Sequence, residues 1–158
     1  MPIELTKGDL FATPGRGALI SGVDGGGEMA GGVAGQFKKR WPAMYDEYAA
    51  LCAGGRLALG DVFPWVGGDV TIYNLIIQRN WRDKAKHPAL VTALDKALAL
   101  ASKAGIQRIG LPRIGTGLGG LDWVRVQRSL EEAAAKTDIT LVVFTQFVRD
   151  KGTATPPA

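Results

Sequence analysis

A glycine-rich stretch between a short strand and a helix is the feature that most constrains the fold of this chain. Residues 106–110 are apolar at alternate positions and predict a buried strand, and residues 123–136 carry apolar side chains at helical spacing. Between them lie four glycines: Gly115, Gly117, Gly119 and Gly120. A loop of this kind brings bare backbone N–H groups close to an anion, at the positive end of the following helix. Because glycine-rich turns also occur for steric reasons alone, this loop by itself leaves both interpretations open.

A second loop of the same type lies near the start of the sequence. Residues 18–23 predict a short apolar strand, and residues 24–35 are again rich in glycine. A helix is predicted from Gln36 to Tyr48, and one apolar stripe runs through it, formed by Val33, Phe37, Trp41, Met44 and Tyr48. Two loops that each leave a strand and enter a helix could hold the two phosphates of a diphosphate from both sides. The pair is therefore a more specific signal than either loop alone.

Composition narrows the class of protein. At 158 residues and 46% hydrophobic content the chain fits one globular domain, predicted over residues 1–149, with a disordered tail at 150–158. We expect no membrane association, because no apolar run is long enough to cross a bilayer and no leader segment is visible. Cys52 is the single cysteine, which is typical of a reducing compartment, so a cytoplasmic monomer is expected. One histidine and no ligand spacing predict no metal and no cofactor, and a net charge of +4 favours anionic ligands.

The remaining segments alternate between strand and helix. Strands are predicted at 2–9, 56–65, 70–77 and 139–144, with a turn at 67–69, and a helix at 88–104 begins with Pro88. The strand at 70–77 is apolar throughout, as expected of a strand covered on both faces. This order predicts a three-layer α/β/α domain with a mixed central sheet and a ligand crevice at the strand ends.

Several short motifs in this order resemble those of macrodomains. The motifs are Lys7–Phe11, Met29–Ala34, Phe37–Lys39 and Pro112–Leu118. The chain is most similar to the branch that contains the terminal ADP-ribose protein glycohydrolase and the bacterial DNA ADP-ribosyl glycohydrolase antitoxins. Two further segments, Arg79–Arg82 and Gly117–Trp123, are similar to the antitoxin side. The resemblance covers about residues 3–147.

The resemblance implies a pocket for ADP-ribose and assigns its contacts. Asp9 would accept the adenine amino group beside the Leu10 backbone, and Phe144 would stack on the adenine. Without the family, Asp9 would be interpreted as a turn-capping residue and Phe144 as a core residue. Residues 30–34 would form the first phosphate loop and residues 114–118 the second. The expected ligand-binding residues are Asp9, Leu10, Ser21, Asp24, Met29, Ala30, Gly31, Gly32, Val33, Ala34, Pro112, Ile114, Gly115, Thr116, Gly117, Leu118, Gly119 and Phe144.

The catalytic residues of the resembled family are not all present. Gln78 stands where both hydrolase branches carry a lysine, and a neutral amide cannot form the lysine adduct. Gly119 stands where the protein hydrolase carries an acid. Asp24 replaces the asparagine of the antitoxins, and it could hold the distal ribose and also take a proton from water. We expect Asp24 and Gln78 to be the catalytic pair, although Asp24 also fits an Asp-Gly turn residue.

Three functions remain open from the sequence. The chain could be an ADP-ribosyl hydrolase acting on modified protein or nucleic acid, or a reader that binds ADP-ribose without cleaving it. It could also be a nucleic-acid-binding module, whose contacts would be Arg79, Trp81, Arg82, Lys84 and Lys86. Other polar residues have simpler interpretations: His87 and Asp122 as helix caps. Three tryptophans are expected in the core or the pocket wall: Trp41, Trp65 and Trp123.

Overall fold

The computed structural model describes residues 3–11, 17–29, 32–117 and 119–147, so the predicted disordered tail lies outside the described residues. Its strands are β1 (Ile3–Gly8), β2 (Ala18–Asp24), β3 (Val62–Gly67), β4 (Val70–Gln78), β5 (Arg108–Pro112) and β6 (Thr140–Phe147). Its helices are α1 (Gly32–Arg40), α2 (Pro42–Ala53), α3 (His87–Lys103) and α4 (Trp123–Ala135). Within the described ranges, every helix is too short or too polar to span a lipid bilayer.

The six strands form one sheet in the order β1-β6-β5-β2-β4-β3. All neighbouring strands run parallel except β3, which pairs antiparallel with β4 through the turn after Gly67. The predicted mixed sheet is therefore confirmed. Because β6, β5, β2 and β4 are parallel and adjacent, their carboxyl ends meet at one edge, where open α/β sheets bind ligands.

Each face of the sheet is covered by a pair of helices. On one face, α3 and α4 bury Leu90, Leu94 and Leu130 in a core that also contains Leu75 of β4. On the other face, α1 and α2 bury side chains that include Phe37, Met44 and Tyr48. Successive residues of β4 alternate between the two cores, so this strand is covered on both faces as its apolar sequence predicted. The predicted three-layer architecture is confirmed.

The helix predicted over 36–48 is in fact two helices. The first, α1, ends at Arg40, and α2 starts at Pro42, since proline lacks the N–H that a continuous helix needs and its ring clashes with the preceding turn. The apolar stripe nevertheless packs into one core, with Val33 and Trp41 partly buried, and the Trp41 N–H donates to the Phe37 carbonyl at 2.9 Å across the break. The second helix ends at Ala53, and Gly54 is its C-cap.

The strand predicted over 56–65 begins only at Val62. Asp61 holds the preceding residues in a turn, because its Oδ2 accepts the Ala58 N–H at 2.8 Å. Side-chain capping of this kind competes with strand formation and is not visible in an apolar alternation.

Of the two predicted helix caps, one is correct. Asp122 is the N-cap of α4, and its Oδ2 accepts the Arg125 N–H at 3.2 Å. The cap assigned to His87 is wrong, because the N-cap of α3 is Lys86 and makes no side-chain capping bond. The His87 Nε2 instead lies 2.8 Å from Ser129 Oγ, and this contact joins α3 to α4.

Candidate functional site

A cleft of about 590 Å³ crosses the carboxyl ends of four adjacent strands. Phe144 and Thr145 of β6 line one end, and Gln78 of β4 lines the other. Pro112 of β5 and the end of β2 lie between them. Since neighbouring strands are about 4.8 Å apart, three strand spacings give the cleft a length of about 14 Å. The predicted crevice is therefore present, and it suits an extended ligand.

The two glycine-rich segments form the long sides of this cleft. The first glycine loop (residues 24–35) contributes Met29, Gly32, Val33 and Ala34. The second glycine loop (residues 111–122) contributes Pro112, Arg113, Ile114, Gly115, Thr116, Gly117 and Gly119. Helix α1 begins at Gly32, so unpaired N–H groups and the positive end of the helix dipole lie at the cleft. Three predicted ligand contacts, Ala30, Gly31 and Leu118, lie outside the described residues.

Ser21 supplies a buried hydroxyl to the cleft floor. It lies on β2, lines the cleft and is 1% exposed. Its Oγ has no hydrogen-bond partner among the described residues. Buried hydroxyls are normally paired, so an unpaired one that lines a cleft is available to a ligand.

Asp24 is built into the first glycine loop rather than projecting freely. Its Oδ2 accepts the Gly26 N–H at 2.9 Å, and its Oδ1 accepts the Met29 N–H at 3.4 Å. The Tyr48 hydroxyl of α2 lies 3.0 Å from the same Oδ1 and also contacts the Asp24 carbonyl oxygen. Burial and the neighbouring Asp24 carboxylate raise the pKa of Tyr48, so this hydroxyl keeps its proton as a donor. The turn interpretation of Asp24 is thus correct, and Asp24 is also one of the residues that line the cleft.

Gln78 ends β4 and organises the segment that follows it, here called the Gln78 loop (residues 78–86). Its Nε2 donates to the carbonyl oxygens of Asn80 and Asp83, both at 3.0 Å. The amide nitrogen has only two hydrogens, so the oxygen is the part of this side chain left for a ligand. The glutamine at this position therefore has a structural role in the loop that the sequence did not reveal.

The adenine end of the cleft agrees only in part with the contacts that the sequence predicts. Phe144 lines the cleft and is also packed into the core, at 8% exposure, so both interpretations hold in part. A Cβ on Gly8 would lie 3.6 Å from the Phe144 ring, which places Asp9, the next residue, close to it. Asp9 Oδ1 accepts the Phe11 N–H at 2.9 Å, in agreement with a turn-capping role. Asp9 and Leu10 border the cleft lining without belonging to it.

One cleft residue was assigned by sequence to a different function. Trp81 lines the cleft from the Gln78 loop, whereas the sequence suggested it only for nucleic-acid binding. The three tryptophans expected in the core or the pocket wall are partly buried and pack against the core, in agreement with that prediction. The signal that could have identified Trp81 is its position three residues after the end of β4, whose neighbour β2 leads into the first glycine loop.

Comparisons with known proteins agree with this geometry. The family model described as the Macro domain matches residues 20–130. A DNA ADP-ribosyl glycohydrolase of Thermus aquaticus is 29% identical over 135 residues, which are 83% of this chain and 37% of that protein. The ADP-ribose glycohydrolase OARD1 of Homo sapiens is 30% identical over 152 residues, 90% of this chain and 91% of that protein.

A solved structure, the macrodomain of Thermus aquaticus DarG, superposes with a TM-score of 0.83 at 27% identity. The superposition covers 90% of this chain and 97% of the macrodomain. This chain spans little more than a third of the length of the bacterial glycohydrolases that it matches. Relatives from both branches named by the motifs are present, and the family model covers most of the chain. The chain therefore belongs to the macro domain family.

Proposed function

We propose that this chain binds ADP-ribose in the cleft and removes it from modified protein or nucleic acid by hydrolysis. The observation that carries the proposal is one cleft with glycine-rich backbone on both long sides, at the carboxyl ends of four parallel strands. Main-chain N–H groups on both sides suit a diphosphate, which needs donors from two directions. The names of the similar glycohydrolases, one acting on DNA and one on ADP-ribose, support the same ligand.

The length of the cleft suggests how the ligand lies. The adenine would stack on Phe144 at the β6 end, with Asp9 accepting its amino group. The diphosphate would lie between the two glycine loops, with the Ser21 hydroxyl donating from the floor. The distal ribose would then lie at the β4 end, beside Asp24 and Gln78.

Hydrolysis would proceed without a lysine adduct. Gln78 would accept a distal ribose hydroxyl at Oε1, because both of its amide hydrogens are already donated. Asp24 Oδ2 accepts one hydrogen bond and retains a lone pair for water. Water would add to the anomeric carbon, its proton would pass to Asp24, and the bond to the modified macromolecule would break. General base assistance contributes about 100- to 10,000-fold to such a step.

A second function is favoured by the hydrogen bonds of the same residues. Asp24 and Gln78 both hold loop backbone in place, as residues of a rigid binding site would. A reader that binds ADP-ribose without cleaving it needs nothing more.

We also propose that the chain forms one macrodomain over residues 1–149 and acts as a monomer in the cytoplasm. The free thiol of Cys52 favours this location, because free cysteines are typical of a reducing compartment.

Calorimetric titration with ADP-ribose, on the wild type and on Asp9→Ala, tests the ligand. Micromolar binding that weakens in the variant is expected, and a folded wild type that gives no heat would refute the proposal. Incubation with ADP-ribosylated protein and with ADP-ribosylated DNA then tests hydrolysis. Release of ADP-ribose from either supports the hydrolase, and binding without release leaves the reader.

A further inference from the structure

Trp81 is unusual among the exposed apolar side chains of the described residues. Five large apolar side chains are exposed there: Leu5, Val66, Trp81, Leu100 and Val124. Only Trp81, at 44% exposure, also lines the cleft. It stands at the β4 end, beside Gln78, where the proposed ligand would be joined to the modified macromolecule. An aromatic ring at this position faces whatever lies beyond the distal ribose.

The Gln78 loop holds this ring in a fixed position. The two Gln78 hydrogen bonds close the loop from one side, and Asn80 Oδ1 accepts the N–H groups of Arg82 and Asp83 from the other. The loop is also tied to the second glycine loop, because the Ala85 N–H donates to the Gly119 carbonyl at 2.9 Å. A preorganised turn therefore carries Trp81, so little conformational entropy of the loop is lost when a partner stacks on the ring.

Positive charge surrounds the ring. The Arg82 guanidinium lies over Trp81 at 4.9 Å from the ring centroid, and the Trp81 side chain is still 44% exposed. Three further exposed cations lie in the same loop: Arg79, Lys84 and Lys86. Among the described residues none of these four cations forms a salt bridge, and Asp83 is the single acidic residue of the loop.

We infer that Trp81 is the residue that selects the group attached to ADP-ribose, by stacking on a base of a single-stranded nucleic acid whose phosphate contacts Arg82. The inference rests on the proposed function of the cleft. A modified carboxylate side chain of a protein has no ring to stack, and its ester linkage to ADP-ribose carries no charge. A nucleic acid supplies a base and a phosphate at every residue, which matches one ring among four unpaired cations.

The test compares three probes: free ADP-ribose, a single-stranded oligodeoxynucleotide carrying one ADP-ribose on a base, and a peptide carrying ADP-ribose on a glutamate. The measured quantity is Kd where the probe is not turned over and kcat/KM where it is. Trp81→Ala should lower the preference for the oligonucleotide over free ADP-ribose by about 5- to 150-fold, the loss typical of one base–aromatic stack. Trp81→Phe keeps a ring and should lose less.

Arg82→Gln tests the phosphate contact. It should weaken oligonucleotide binding and reduce the slope of log K against log salt by about 0.7, the value for one phosphate contact on a single strand. Arg128→Gln removes the same charge from α4, outside the Gln78 loop, and should leave that slope unchanged.

The outcomes separate this inference from the proposed function. A wild type that does not bind free ADP-ribose would refute both. Normal ADP-ribose binding, with the oligonucleotide preference unchanged in Trp81→Ala, would overturn the role of Trp81 alone. An equal loss on the peptide would also overturn it, because the ring would then serve protein substrates. A loss confined to the oligonucleotide supports it.

Discussion

Gly119 is buried where the second glycine loop folds back against the Gln78 loop, and a Gly119→Ala substitution should distort both. Its φ is not in the left-handed region, so the problem is space rather than backbone strain. A Cβ on Gly119 would lie 2.8 Å from the Gly115 carbonyl oxygen and 3.0 Å from the Ala85 Cβ. Real Cβ atoms do not approach backbone oxygens this closely, so one of these groups must move.

Neither neighbour can move without losing a hydrogen bond. The Gly115 carbonyl accepts the Leu121 N–H at 2.9 Å, and the Ala85 N–H donates to Gly119 itself at 2.9 Å. Overpacking of this kind costs about 1–3 kcal/mol in the free energy of unfolding. For a domain of this size each kcal/mol lowers Tm by about 2–4 °C, so we expect a decrease of about 2–12 °C. ADP-ribose binding should weaken in parallel, because the loop carries one side of the cleft.

Gly117→Ala is the matched control for this substitution. It lies two residues away in the same loop, its φ is also outside the left-handed region, and no described atom lies within 4 Å of its Cβ position. Thermal unfolding should therefore change little in Gly117→Ala. Equal Tm values for the two variants, with equal ADP-ribose titrations, would refute the packing argument.

Further substitutions test other groups of the site. Ser21→Ala should change the free energy of unfolding by less than about 1 kcal/mol, because the Ser21 hydroxyl has no partner among the described residues. The same substitution should lower the affinity for ADP-ribose about 2- to 12-fold. An unchanged affinity in calorimetry would argue against a contact between Ser21 and the ligand. Gln78→Glu should speed amide hydrogen exchange at 79–84, because a carboxylate cannot donate to the two loop carbonyls; unaltered exchange would contradict this. Tyr48→Phe should cost about 1.5–3 kcal/mol in denaturant unfolding, the value of a hydrogen bond to the charged Asp24, and a cost near zero would refute it. Burial raises the pKa of Tyr48 and of Tyr73, so above about pH 10 the unfolded chain releases protons that the folded chain keeps, and stability should fall as the pH rises, with Tyr48 contributing up to about 1.4 kcal/mol per pH unit. Tyr48→Phe should remove one of these two contributions, and an alkaline slope equal to that of the wild type would show that Tyr48 is not involved.

The fold was predictable where the signal is local and repeated along an element. The continuous apolar run of β4 depends on many residues, so single exceptions do not hide it. The prediction of helices and strands fails where a single residue determines the local structure. Pro42 divides a helix whose apolar stripe continues across the break, and Asp61 holds a turn in a stretch that alternates like a strand.

The cleft was predictable because its walls are backbone. Glycine is needed where N–H groups must approach an anion, so both loops leave a visible trace in the sequence. The side-chain partners left no such trace. Asp24 is hydrogen-bonded to Tyr48, which lies on a helix 24 positions further along the chain, and nothing in either local sequence indicates that contact.

Gln78, which the family resemblance places at a lysine position of related hydrolases, has an observed structural role in its own loop. The amide of Gln78 donates to two carbonyls and thereby folds the loop that carries Trp81. The cleft lining then contains two ionisable side chains among the described residues, Asp24 and Arg113, of which Asp24 is the carboxylate. If the proposed hydrolysis takes place at the β4 end, Asp24 is the described cleft carboxylate that could assist its water, and the proposed role of Trp81 concerns the group that leaves there. Both proposals therefore involve the loop that the Gln78 amide holds closed.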